Sequence, residues 1–336
     1  MWWLFGKKKF DDVTENVLEA TKTTLSDEQL FEVVEYDPDS AERVAYSNYS
    51  YWGSTFRVFL KSRVAFTLMC LMIGVVLFAV IQPYLPNQKD PIEIIINPET
   101  GRQFRNVPPG EHGFFFGSNN IGQDLWARIW SATRTSMFIA FVVASVDVTF
   151  GILIGALWGY VRALDRVITE IYNIFNNVPN TIVLVLFTYI MSPGIRTMII
   201  AMCVIGWIHM ARFIRNQILI IRDREYNLAS RCLGTGTMRI ITKNLLPYMV
   251  SVIMMRMALS IPGTISSEVF LTYIGLGLPI DTPSLGNLLN EGRMRMLSPT
   301  QRYQLWFPLG IISMITISFY VMGNAFADAA DPKNHV

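Results

Sequence analysis

Charge is scarce in this chain: 16% of its 336 residues are Asp, Glu, Lys or Arg, against 51% that are hydrophobic. A soluble domain carries about a quarter charged residues, so a bilayer rather than water is the natural solvent for most of this length. The formal net charge is only +2, and the basic residues are scattered through loops instead of forming one stripe, which argues against a nucleic-acid partner. Cysteine is also scarce. Cys70, Cys203 and Cys232 have no metal-ligand spacing, and two of them lie in apolar runs where cysteine acts as a small hydrophobe, so neither a metal centre nor a disulfide framework is expected. His112, His209 and His335 form no H-x-x-x-H or H-E-x-x-H pattern, which removes the usual support for a membrane-embedded metalloenzyme. No G-x-x-x-x-G-K-[ST] phosphate loop occurs, and Gly275-Leu276-Gly277 is too short for a dinucleotide fingerprint; it reads as a helix exit and tight turn. No catalytic residue and no cofactor or metal site is assigned. No apolar run with a small-residue cleavage site follows the first residues, so no signal peptide is expected and the first spanning helix serves as the insertion signal.

What is present is a series of long apolar runs. A helix crosses about 30 Å of hydrocarbon with roughly 20 residues. Residues 64–84, 135–160, 167–191, 196–221, 248–274 and 306–327 meet that length, each bounded by charge, proline or glycine. The fold class is therefore an all-α membrane protein, a polytopic bundle of about six transmembrane helices with a cytoplasmic helix between the fourth and fifth. An even number of spans puts both termini on one side, and the larger share of Lys and Arg falls in cytoplasmic loops when both termini are inside. The chain then divides into a cytoplasmic segment 1–63, a first span 64–85, an extracellular region 86–134, a core domain 135–327 with five transmembrane helices and the loop 222–246, and a cytoplasmic tail 328–336. In the first segment Lys7, Lys8 and Lys9 stand beside Trp2, Trp3 and Phe5, which suits an interface with membrane lipid and equally a solvated tail. The extracellular region has a short β-like run, 92–96, among several prolines.

Ionisable residues within apolar spans are functional candidates, because a charge at the bilayer centre costs at least about 2.5 kcal/mol. Asp147, Arg256 and Glu268 are the three to explain. Arg256 and Glu268 are about 18 Å apart along one helix and cannot pair with each other. Lining a path and pairing between helices are both open to them, with Asp147 to Arg256 as a specific candidate pair. Gly151, Gly155 and Gly159 recur every fourth residue and predict a close helix–helix seam. Pro179, Pro193 and Pro262 mark kinks or ends.

The loop 222–246 reads as a short helix ended by Gly234-Thr235-Gly236. Leu228, Ala229 and Ser230 keep one face narrow enough to enter a partner's groove, and the flanking arginines suit an acidic rim. An ordinary basic cytoplasmic loop accounts for the same composition.

Ala229-Ser230, Gly234 and Leu246-Pro247 fall on the spacing E-A-A, three residues, G, nine residues, I, one residue, L-P, and so resemble the cytoplasmic loop of ABC importer permeases. Leu228 stands in place of the glutamate and Asn244 in place of the isoleucine, with Glu225-Tyr226 upstream as peptide permeases carry. Phe116-Gly117-Ser118-Asn119-Asn120-Ile121-Gly122-Gln123-Asp124 is similar to the F-G-T-D-x-x-G-R-D run of the oligopeptide and dipeptide branch, in its C-type permease. The same holds for Tyr273-Ile274-Gly275-Leu276-Gly277, for 282–293 against P-S-W-G-N-M-L-x-E-G-R, and for Asp328 with Asp331-Pro332-Lys333. The long outer loop is most similar to Gram-positive oligopeptide systems.

The resemblance implies a bacterial cell-membrane importer subunit that translocates oligopeptides and is not itself an enzyme. Its implied partners are a second homologous permease, two cytoplasmic ABC ATPase subunits that bind ATP and Mg, and an extracellular peptide-binding protein. Coupling to the ATPase is then expected at Glu225, Tyr226, Ala229, Ser230 and Gly234, with Leu246 and Pro247 setting the return into the membrane. Dipeptides, nickel or another small solute are alternative cargoes within the family, and a passive channel is the alternative of a different class.

Overall fold

The computed structural model describes residues 51–330. The Trp-Lys start and the Asp331-Pro332-Lys333 end lie outside the described residues. Every regular element among those described is helical, with two isolated antiparallel bridges, Ile96 to Gln103 and Ser118 to Asp124. The expected strand over 92–96 is therefore one bridge; prolines 91 and 98 leave too little chain to pair.

Helix α1, Tyr51–Lys61, falls in what the sequence reading treated as a hydrophilic segment. It is amphipathic, and its Phe59 ring sits 5.4 Å from Phe326 near the end of the last helix. Ser62 caps the next helix, α2, Arg63–Ile81, which is the first span. Helix α3, Leu125–Tyr160, starts ten residues before the predicted span. Arg128 and Arg134 interrupt the apolar run there, yet both are taken up by protein: Arg128 by Glu291 and Arg134 by the Ala79 carbonyl at 2.5 Å. Asp124 caps this helix by accepting from Ala127 N–H at 2.9 Å.

The predicted third span is not straight. It is built from α4, Arg162–Asn177, and α5, Asn180–Met191, bent by 78°. Pro179 has no N–H and forces Val178 into an extended conformation, so the helix stops and restarts. Among the described residues five helices are long and apolar enough to cross a membrane, and the bent pair makes a sixth when counted as one span. Helix α6, Ile195–Ile221, packs along α3 through the predicted glycine seam. A Cβ on Gly155 would lie 2.8 Å from Ile214 Cβ, and one on Gly151 would lie 2.5 Å from Met210 Cβ, so only glycine permits this approach.

Helix α7, Glu225–Cys232, follows on the far side of α6. The chain returns through helical turns from 237 to 248, including a π-helical turn, Ile241–Leu245. Pro247 cannot bond the carbonyl four residues back, which accounts for the widened turn before it. Helix α8, Val250–Tyr273, holds Pro262; α9, Leu285–Met294, is short and buried on one side; and α10, Tyr303–Ala330, closes the bundle. One apolar cluster joins Ile214, Ile218 and Ile221 to Ile240, Ile241 and Leu245, so the helical return is packed under α6 rather than hanging from it.

The region 85–124 is a set of turns locked to the bundle. Gln123 donates to the Ile92 carbonyl at 2.7 Å, and the Tyr303 hydroxyl donates to the carbonyls of Val107 and Ser118 at 2.9 and 2.7 Å. Arg128, whose side chain is 1% exposed, donates to Glu291 at 2.7 Å and also to Gln123, tying α3 to α9.

Candidate functional site

Helix α7 is held from behind and open in front. Asn227, buried, donates to the Ile221 carbonyl at 2.9 Å and accepts from Asn244 at 3.3 Å. Asn244 also donates to Ser230 Oγ at 3.3 Å, and Ser230 donates to the Tyr226 carbonyl at 2.9 Å. Arg222 reaches the Gly159 carbonyl at the end of α3 at 3.0 Å. Asp223 accepts from Arg222 at 3.0 Å and from Arg231 at 2.9 Å, and those two guanidinium hydrogen bonds hold its carboxyl below the usual aspartate range. The helix ends in a Schellman motif: Thr235 N–H donates to the Ser230 carbonyl at 3.1 Å, and Gly234 takes φ +76°.

The forward face carries Glu225, Tyr226, Leu228 and Ala229, all exposed, with Leu233 86% exposed beyond them. Gly234 and Pro247 are exposed and Leu246 is half-buried against the core. Of the residues singled out in the sequence, Glu225, Tyr226 and Ala229 thus share a free surface, whereas Ser230 points into the clasp. Sequence reasoning missed Asn227 and Asn244. The signal was there in part: Asn244 occupies a position where the resembling motif has isoleucine, and a polar residue in an apolar slot needs a partner.

The intramembrane candidates separate into two environments. Glu268 is 1% exposed, accepts from Ser136 at 2.7 Å, and Ser136 in turn accepts from Leu285 N–H at 3.0 Å. That chain of contacts fixes the start of α9 between α3 and α8, so Glu268 is a structural tie. Asp147 and Arg256 instead line one cleft together with Gly206 and His209. The specific Asp147 to Arg256 pair is not formed: no ion pair joins them among the described residues. On α9, outside the spans, burial pushes the Glu291 carboxyl above its ordinary range even though Arg128 and Asn119 pull it down.

The description "binding-protein-dependent transport system inner membrane component" matches residues 148–336, more than half of the chain. This chain belongs to that family. Residues 50–109 match the N-terminal TM domain of oligopeptide transport permease C, which covers α1, α2 and the first part of the outer turns. Among similar curated proteins is the oligopeptide transport system permease protein AmiD of Streptococcus pneumoniae, 35% identical over 92% of this chain and 98% of that protein. The dipeptide transport system permease protein DppC of Bacillus subtilis is 34% identical over 87% of this chain and 89% of its own length. Among solved structures, an inward-facing form of the methionine ABC transporter MetNI aligns with TM-score 0.50 at 21% identity, over 61% of this chain and 95% of its own. That likeness shows the type I importer permease fold for this family member. The resemblance read from the motifs, the helical fold class and the transport role all stand on these matches.

Proposed function

We propose that this chain is a pore-forming subunit of an importer that carries oligopeptides into the cell, with both termini cytoplasmic and with ATP and Mg handled on partner chains. It pairs with a second homologous permease, receives peptides from an extracellular binding protein, and docks two ATPase subunits, one of them on α7. The observation that carries the reading is the α7 surface: Tyr226, Leu228 and Leu233 stand exposed on or just beyond a helix whose rear is pinned to the end of α6, which Arg222 in turn ties to α3. A helix fixed at its base and apolar at its face is suited to enter a groove and pass motion to the spans behind it. Oligopeptide cargo is supported by the curated relatives, of which the chain covers nearly the full length.

The test is purification of the tagged chain from its native membrane in mild detergent, followed by reconstitution. Co-purification of a second permease and chains with phosphate loops, together with ATP-dependent uptake of a labelled tetrapeptide, is the expected result. Peptide flux that continues without ATP, or a lone homo-oligomer with no ATPase attached, would overturn the proposal in favour of a passive pore.

A further inference from the structure

Between α3, α6 and α8 lies a cleft of about 270 Å³ whose walls include Asp147, Gly206, His209, Arg256 and Ser260. Three ionisable side chains from three different spans meet there. Counted along their helices, they sit about 20, 18 and 9 Å from the inner ends of α3, α6 and α8, for Asp147, His209 and Arg256 in turn. Ionisable groups at such depth normally pair with one another or face water. These do not pair: no ion pair among those described joins any two of them. Asp147 Oδ1 is buried and has no hydrogen-bond partner in this chain. His209 Nε2 lies 3.2 Å from the Asn180 side chain, and the Arg256 guanidinium lies 5.4 Å from the Phe213 ring; both residues are otherwise exposed.

The floor of the cleft is shaped around the carboxylate. A Cβ on Gly206 would lie 2.5 Å from Asp147 Cγ, so any larger residue there would displace the acid. Val148, Met210 and Leu259 supply apolar walls that make no demand on side-chain identity. The arrangement is a half-buried acid beside Gly206 and an exposed guanidinium on the same cleft, whose volume of about 270 Å³ has room for one or two amino-acid residues.

We propose that this cleft is a transit site for the charged end of a peptide, with the terminal ammonium held by Asp147 and the carbonyl or carboxylate oxygens met by Arg256. The inference rests on the reading of the chain as a peptide importer. An ammonium is the one cation that every unmodified peptide carries whatever its sequence, so an unpaired carboxylate can recognise the whole class without selecting side chains. Glu268, which is fully enclosed by Ser136 and α9, has no such opening.

The experiment uses the complete complex, both permeases, ATPases and binding protein, in proteoliposomes, and compares uptake of tetra-alanine with N-acetyl-tetra-alanine. The same binding protein serves every variant, so its own preference cancels when the ratios are compared. Asp147→Asn is expected to lower the free-to-acetylated uptake ratio by about tenfold, the weight of one charged hydrogen bond, and Asp147→Glu to restore part of it. A ratio that Asp147→Asn leaves unchanged, while the complex still imports peptide, overturns the site and leaves the importer reading intact. A wild-type complex that takes up neither peptide overturns the importer reading and the site with it. If the Asp147→Asn complex fails to assemble, Arg256→Gln, at an exposed position, is compared on tetra-alanine and its C-terminal amide. Loss of discrimination there supports the site, and unchanged discrimination overturns it.

Discussion

Glu291→Leu removes the partner of Arg128 while leaving the guanidinium sealed between α3 and α9. Stranding a buried charge costs about 3–5 kcal/mol. The lower end applies, because a quarter of the Glu291 side chain reaches the surface and Gln123 still accepts from Arg128. The attraction itself is a weaker contributor than that figure suggests. Desolvation is the largest influence on the Glu291 carboxyl and raises it above the ordinary glutamate range against the pull of Arg128. A pair whose burial outweighs its attraction can be replaced as a pair, so Arg128→Met with Glu291→Leu is expected within about 1 kcal/mol of wild type. Unfolding of the purified permease in mixed micelles, titrated with denaturing detergent, measures both variants. The coupling between the two changes should reach about 2 kcal/mol, well above the error of such a cycle. A double variant as unstable as Glu291→Leu alone would refute the reasoning, since the damage would then come from lost packing rather than from a stranded charge. The pH dependence has a definite sign. The folded state keeps the Glu291 proton to higher pH than the unfolded chain does, so this group's contribution is full below the ordinary glutamate pKa and is lost as pH rises through the raised value. Glu291→Gln should flatten that part of the profile.

Gly155→Ala should destabilise the chain by about 1–3 kcal/mol, because the new methyl meets the α6 backbone, whereas Gly310→Ala, with open space around it, should leave the melting temperature in detergent within error. Gly234→Val should weaken ATPase association more than Gly234→Asn, since φ +76° costs a side chain about 1–2 kcal/mol and asparagine tolerates that region best; equal effects in a co-purification assay would count against the strained cap as the cause. Leu228→Asp places a charge on the free face of α7 and should weaken docking at least tenfold, roughly the loss of one buried leucine, while the fold remains intact by circular dichroism. Asp223 is held below the ordinary aspartate range by Arg231 and Arg222, so its support of the loop is present above the ordinary value and is lost as pH falls through the lowered one; the protection of the α7 amides against hydrogen exchange, taken relative to the intrinsic rate at each pH, should fall with pH in wild type and stay flat in Asp223→Asn.

The spans were legible wherever lipid alone decides the composition. Helices α2, α6, α8 and α10 lie within a few residues of the apolar runs that predict them, because each is a single stretch bounded by polar residues. The first ten residues of α3 were not legible. A run-length argument stops at Arg134 and Arg128, and the partners that allow those charges to be buried, Ala79 and Glu291, lie far away in the sequence. The break at Pro179 illustrates a different limit: hydropathy reports how apolar a segment is and carries nothing about its direction. Helix α1 was missed because Arg57 and Lys61 interrupt its apolar positions, and its amphipathic face makes sense only once Phe326 is in place. At the candidate site, the motif residues Glu225, Tyr226 and Ala229 are exposed on one face of α7, which the spacing alone did not tell. Ser230 is not, because its role depends on Asn244, fourteen residues on. Asp147 and Arg256 stand out in the sequence as ionisable residues within apolar runs, but that they line one cleft without an ion pair between them is a fact of three-dimensional packing alone.

Helix α3 has 36 residues, about 54 Å of rise, and is therefore much longer than the hydrocarbon it crosses. Its first turn is bonded to α9 through Arg128 and Glu291, and its last to Arg222, at the end of α6 just before α7, through Gly159. The glycine seam with α6 stiffens the length between. Such a rod acts as a lever: a tilt of about 5° carries one end past the other by about 5 Å, the pitch of one helical turn. A small push at the end beside α7 thus becomes a displacement of the far end, which α9 shares through the Arg128 and Glu291 bond. No side chain along the way has to change its partner.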